Sequence, residues 1–128
     1  MTERLDPNGT PTIDVVEADR RRRAEGDGPR PLLVDVRELD EIFAVRAEDV
    51  VVMPMSQFGQ RFRELPDDQP LMIICASGGR SAKATAFLAA NGYRDAVNVA
   101  GGTHAWESRG LPVRRGPLAP GEGDLPAR

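Results

Sequence analysis

Apolar residues along this chain gather into short runs separated by polar, Gly-rich and Pro-rich stretches. Pro31 to Val36, Val50 to Met53, Leu71 to Ile74 and Ala96 to Val99 are dense in apolar and β-branched side chains, the pattern of short strands buried on both faces. Between them the spacing changes to that of helices. Asp14 to Ala24 carries acids near its start, bases near its end and Gly26 as a stop. Glu38 to Val45 is a shorter helical stretch, and Ser56 to Leu65 spaces Phe58, Phe62 and Leu65 on a helical period before Pro66. Ser81 to Asn91 is rich in alanine with Gly92 just behind it, and Thr103 to Arg109 ends at Gly110. Strands alternating with helices predict an α/β fold: a small, mostly parallel central sheet with helices on both faces.

The two ends differ from this pattern. Residues 1–11 mix turn formers with charges, and residues 114–128 are rich in Pro and Gly with little to bury, so both are expected to be disordered around a domain at 12–113. A chain of 128 residues with 40% hydrophobic residues is enough for one core. Seventeen basic residues against 20 acidic ones leave a net charge of −3, which gives no overall field for nucleic acid or an anionic membrane. The run Arg20 to Arg23 does not change this, because consecutive residues point around a helix and read as a solvated end. The apolar runs fall far short of the roughly 20 residues that span a bilayer, and the start lacks the pattern of a secretory signal. A soluble, cytoplasmic protein is expected, with monomer as the default state.

Chemistry concentrates at one place. A single cysteine, Cys75, and a single histidine, His104, exclude an internal disulfide and a structural zinc site of the usual four ligands. Cys75 is therefore either inert or reactive. It ends the strand Leu71 to Ile74 and is followed by Ala76, Ser77, Gly78, Gly79 and Arg80, after which a helix starts at Ser81. Open α/β sheets bind ligands at this end of their strands. The two glycines can take positive φ, which lets the loop curl its N–H groups toward the sulfur as an anion-binding nest. With the positive end of the helix beside it, such a nest lowers a thiol pKa and makes the thiolate a ready nucleophile. Arg80 keeps its charge near neutral pH and can hold the loop or attract an anion. A free cysteine is also commonly a small buried hydrophobe. The Gly-Gly-Arg-Ser continuation into a helix is what argues for reactivity here.

Cys-Ala-Ser-Gly-Gly-Arg-Ser-Ala-Lys-Ala at 75–84 resembles the active loop and following helix of single-domain rhodaneses, the thiosulfate-type sulfurtransferases. Leu33-Val34-Asp35-Val36-Arg37-Glu38 resembles a strand end of that family. Gly92-Tyr93, Val97 to Trp106 and Gly110 to Val113 resemble its closing motif. The likeness runs from about residue 12 to 113. It departs at Val45-Arg46-Ala47-Glu48-Asp49-Val50, where the family often carries Gly-His-Ile-Pro-Gly-Ala, a difference that bears on substrate access. The resemblance implies a double displacement through a Cys75 persulfide, with no metal or organic cofactor. A small sulfane-sulfur donor such as thiosulfate loads the cysteine, and cyanide, a thiol or a protein cysteine takes the sulfur away. Ala76, Ser77, Gly78, Gly79, Arg80 and Ser81 form the anion-binding loop in this reading, and Asp35 and Arg37 brace it.

The remaining side chains have plainer roles. Ser77 and Ser81 are expected either to donate hydrogen bonds to the persulfide or to cap the helix, capping by Ser81 being the commoner role; His104 is expected to take no part in catalysis, Trp106 to pack in the core and Lys83 to lie near the mouth or in solvent. A regulatory, sulfur-sensing module that binds a protein partner is the competing function, and the altered segment at 45–50 leaves room for it. Phosphatase or arsenate reductase activity is disfavoured, because relatives of similar fold with those activities have one more residue in the loop.

Overall fold

The predicted strands come together as a sheet in the computed structural model, which describes residues 3–126. In chain order the elements are β1 (Arg4–Leu5), β2 (Pro11–Ile13), α1 (Val15–Arg23), β3 (Leu32–Asp35), α2 (Leu39–Ala44), β4 (Arg46–Ala47) and β5 (Val51–Val52). They continue with α3 (Met55–Arg61) and a 3₁₀ turn at Phe62–Glu64, then β6 (Leu71–Ile74), α4 (Gly79–Ala90), β7 (Ala96–Val99), α5 (Gly102–Ser108) and β8 (Val113–Arg114). Six strands form the main sheet in the order β1-β2-β7-β6-β3-β5, with β1 alone antiparallel to its neighbour. Thr12, Asn98, Ile73, Val34 and Val51 lie in one row across it.

The strand alternation divides the core into two layers. Leu32, Val34, Leu71, Ile73 and Cys75 face Phe58 of α3 and Ala84 and Leu88 of α4. Leu33, Met72, Ile74, Val97 and Val99 face Val15 and Ala18 of α1, Ile42 of α2 and Trp106 of α5. Both faces are therefore covered, as expected of a parallel sheet. Trp106 is fully buried and its indole N–H donates to the Pro112 carbonyl at 2.8 Å, which agrees with its reading as a core residue.

Local chemistry explains most boundaries. The Asp14 carboxylate accepts from the Glu17 backbone N–H at 2.8 Å and caps α1, and a reciprocal capping box joins Glu38 and Glu41 at the start of α2. The arginine run is less solvated than expected. Arg20 and Arg23 are exposed, but Arg22 folds back over the Trp106 ring, 5.0 Å from its centroid, and donates to the Glu48 carbonyl.

The two ends, expected to be disordered, carry ties to the body within the described residues, while residues 1–2 and 127–128 lie outside them. Residues 4–5 pair with 11–12, and the C-terminal stretch is tied to the body at several points. β8 pairs antiparallel with β4, and the Gly116 N–H donates to the Phe43 carbonyl at 2.7 Å. The Val52 N–H on the edge strand β5 donates to the Gly123 carbonyl at 2.8 Å, so the tail covers part of the open sheet edge. Arg46 sits at the centre of these ties. Its side chain is 2% exposed, and its guanidinium pairs with Glu122 at 2.6 Å and donates to the Gly116 carbonyl at 2.7 Å. The divergent segment at 45–50 is thus the floor on which the tail rests. No hydrogen bond joins residues 46–50 to the cysteine loop among the described residues.

Candidate active site

Cys75 is the first residue past β6, and the chain turns there into α4. Gly78 takes φ 113° and acts as the N-cap of α4, where a side chain would be strained. Gly79 is already helical, so one glycine of the pair rather than both supplies the positive φ. The turn aims the Gly78 N–H at the Cys75 sulfur, 3.1 Å away. Of its two expected roles, Ser81 takes the contact with the sulfur rather than the cap. It is fully buried inside the first turn, and its hydroxyl donates to Cys75 Sγ at 3.2 Å.

These contacts set the state of the sulfur. Burial pushes the Cys75 thiol up, but the Ser81 hydroxyl and the N–H groups of Ser81, Gly78 and Ser77 outweigh it, so the net shift is below the ordinary thiol value. The sulfur is enclosed, with the residue 1% exposed, while Ala76 to Arg80 are part-exposed or exposed over it. A reactant reaches Cys75 through that cover.

From below, the loop rests on the start of α5. Thr103 donates to the Cys75 carbonyl twice, from its N–H at 2.8 Å and from its hydroxyl at 3.1 Å, and the His104 N–H donates to the Ala76 carbonyl at 3.1 Å. Gly102 makes this approach possible. A Cβ there would lie 2.5 Å from the Cys75 and Ala76 carbonyl oxygens, and its φ is +58°. The His104 side chain is exposed, and its element contributes backbone to the loop. The sequence shows Gly101-Gly102 only as a turn; that the second glycine is a seat for the cysteine loop needs the packing of α5 under β6.

Asp35 and Arg37 form a buried pair, 0% and 4% exposed, with Nη2 to Oδ2 at 2.9 Å. Arg37 donates further to the carbonyls of Glu41 and Val45, so the pair locks the end of β3 to α2, and no hydrogen bond joins it to the cysteine loop among the described residues. The contact to the loop comes from Glu41. Its carboxylate accepts two hydrogen bonds from Arg80, at 2.7 and 2.8 Å, bridging α2 to the first turn of α4. Those bonds hold the Glu41 carboxyl down at about 2 and raise the Arg80 guanidinium above its usual value. In the sequence Glu41 is one acid among several on a short helix, and nothing there distinguishes it. Lys83, one turn beyond Arg80, is exposed and has no ion pair among the described residues.

A hollow of about 690 Å³ lies elsewhere, between the amino ends of β3 and β5 and the tail, lined by Leu32, Val51, Glu122 and Asp124 among others. It does not include the cysteine loop. No cluster of His, Cys, Asp and Glu fit to hold a metal occurs among the described residues, and none of their helices is long and apolar enough to cross a membrane.

A family model described as the rhodanese-like domain matches residues 17–109. The chain belongs to the rhodanese-like family. It is 34% identical over 101 residues to a sulfurtransferase of Allochromatium vinosum, covering 79% of this chain and 94% of that protein. It is 32% identical over 83 residues to the thiosulfate sulfurtransferase GlpE of Actinobacillus succinogenes, covering 64% and 74% of the two chains. The fold agrees. A crystal structure of a rhodanese-like domain protein from Staphylococcus aureus superposes with a TM-score of 0.66 at 33% identity, over 74% of this chain and 89% of that one. The rhodanese-like sheet and its two helical layers are thus those expected from the resemblance.

Proposed function

We propose that this protein is a sulfurtransferase that carries sulfane sulfur on Cys75 as a persulfide. The observation that carries the reading is the setting of the sulfur in a chain of this family: loop N–H groups and the Ser81 hydroxyl surround it and lower its pKa. The thiolate attacks the outer sulfur of a donor such as thiosulfate and forms a new S–S bond as sulfite leaves with the old bonding pair. The same donors that stabilise the thiolate then stabilise the persulfide anion. An acceptor nucleophile, cyanide in an assay or a thiol in the cell, attacks the outer sulfur and returns Cys75 to its thiolate. The chain has one cysteine, so the persulfide is not resolved as an internal disulfide and is handed to another molecule.

The enclosure of Cys75, 1% exposed, favours a second reading: a slow sulfur-sensing module that delivers its sulfur to a protein thiol. Steady-state turnover with thiosulfate and cyanide, or with a small thiol acceptor, separates the two. Many turnovers per chain, absent in Cys75→Ser, are expected of the enzyme. A single stoichiometric transfer with no further turnover moves the assignment to the module.

A further inference from the structure

At the mouth of the cysteine loop the charge balance has a specific form. Arg80 is the cation of the loop itself, and both of its terminal nitrogens are engaged by Glu41. The pair is 39% and 32% exposed, so it faces the solvent through which a donor arrives. Glu41 is fixed in turn, because its carboxylate also accepts the Glu38 N–H at 3.1 Å and closes the α2 capping box. Glu38 adds a second carboxylate close by, held by the Ser56 hydroxyl at 2.7 Å and the Ser56 N–H at 3.1 Å. Among the described residues, the one cation left without an ion pair on this face of α4 is Lys83, three residues past Arg80 and so on the same side of the helix. An anion arriving here meets a neutralised guanidinium, a neighbouring carboxylate and one free positive charge.

We infer that Glu41 is a specificity-determining residue that turns the site away from doubly charged donors such as thiosulfate and toward singly charged sulfane donors such as organic persulfides and thiosulfonates. This rests on the proposed persulfide chemistry. The reaction is the same for both classes: the Cys75 thiolate bonds to the outer sulfur, the donor's S–S bond breaks, and its electron pair leaves with sulfite, sulfinate or a thiolate. The classes differ in the charge that must pass the Arg80–Glu41 pair, and each additional negative charge pays the electrostatic cost of Glu41 once more.

The test uses the full chain and two probes that react alike, thiosulfate with two charges and benzenethiosulfonate with one. Glu41→Gln removes the charge but keeps a side chain that can close the capping box and accept from Arg80. The expected result is that kcat/KM for thiosulfate gains about tenfold more than kcat/KM for benzenethiosulfonate, on the scale of one unit charge a few ångströms away in a partly solvated site. An equal change for both donors, or a loss confined to thiosulfate, overturns the role of Glu41. The native chain gives a second measurement independent of the variant's folding. Its kcat/KM for thiosulfate is expected to stay flat or rise with added salt, and a steep fall would show a free cation drawing the dianion in and overturn the inference. Intact mass distinguishes the two levels of failure. Sulfur loading on Cys75 with an unchanged donor ratio removes Glu41 alone, whereas no loading from either donor removes the persulfide reading together with it.

Discussion

Two Arg–Glu pairs that join distant parts of this chain are both doubly hydrogen-bonded and similar in length, and opposite in setting. Arg80–Glu41, at 2.7 Å, is about one third exposed on each side and bridges the mouth of the cysteine loop. Arg46–Glu122, at 2.6 Å, has side chains 2% and 12% exposed, and clamps the C-terminal stretch to the segment after α2. Coulomb energy alone does not separate them. Solvent does: the exposed pair is screened and contributes little to stability, yet its charges are open to an arriving reactant. The buried pair touches no reactant, but removing one partner strands a charge in a dry environment.

The largest stability effect is accordingly expected at the buried pair. Glu122→Ala leaves Arg46 with backbone carbonyls only, and should lower the unfolding free energy by about 3 kcal/mol while kcat/KM below the melting transition stays within about twofold of native. Denaturant titration together with turnover checks this; a stable but inactive variant would place the tail in the catalytic machinery and break the contrast. Gly102→Ala is expected to affect both properties. Its Cβ would meet two loop carbonyl oxygens at 2.5 Å in a backbone conformation that L side chains rarely adopt, so about 1–3 kcal/mol of stability and most of the sulfur-transfer rate should be lost together. An active, stable Gly102→Ala protein would mean that the cysteine loop does not need its seat on α5. The smallest change is expected from Ser81→Ala, which deletes one hydrogen bond to sulfur and leaves the loop N–H groups in place. Because the hydroxyl favours the thiolate, the Cys75 pKa should rise, and the pH at which the acid limb of kcat/KM reaches half its plateau should move upward. A pH–rate profile shows it, and an unmoved or lowered midpoint would remove Ser81 from the sulfur's support.

How much of this was legible in the sequence follows from the range of each interaction. The strands Leu71–Ile74 and Ala96–Val99 have the bounds expected from their apolar runs, because a central strand is a local signal of continuous burial. The position of Cys75 between strand and helix was legible for the same reason. The two-residue strands at Arg46–Ala47 and Val113–Arg114 were not, since each exists only through its partner. The ties of the tail are not legible in its Pro and Gly content, because they depend on Glu122 meeting an arginine 76 residues away and on Gly123 meeting the edge of β5. Glu41 is not legible for the same reason: it is 39 residues from Arg80, and the two approach only when α2 and α4 are placed at the same end of the sheet. Of the two roles the sequence leaves open for Ser81, capping and bonding to the sulfur, the structure has the second, because the cap position is filled by Gly78 and the serine sits inside the first turn beside Cys75.

The central claim, that Cys75 carries the transferred sulfur, is tested most directly by intact mass. The purified chain is incubated with thiosulfate and with benzenethiosulfonate, weighed, and weighed again after cyanide or a small thiol, with Cys75→Ser alongside. A gain of one sulfur atom, roughly 32 Da, that the acceptor removes and the serine variant never acquires is the predicted result for a cysteine nucleophile. A native chain that gains nothing from either donor, or a serine variant that gains the same mass, would contradict it.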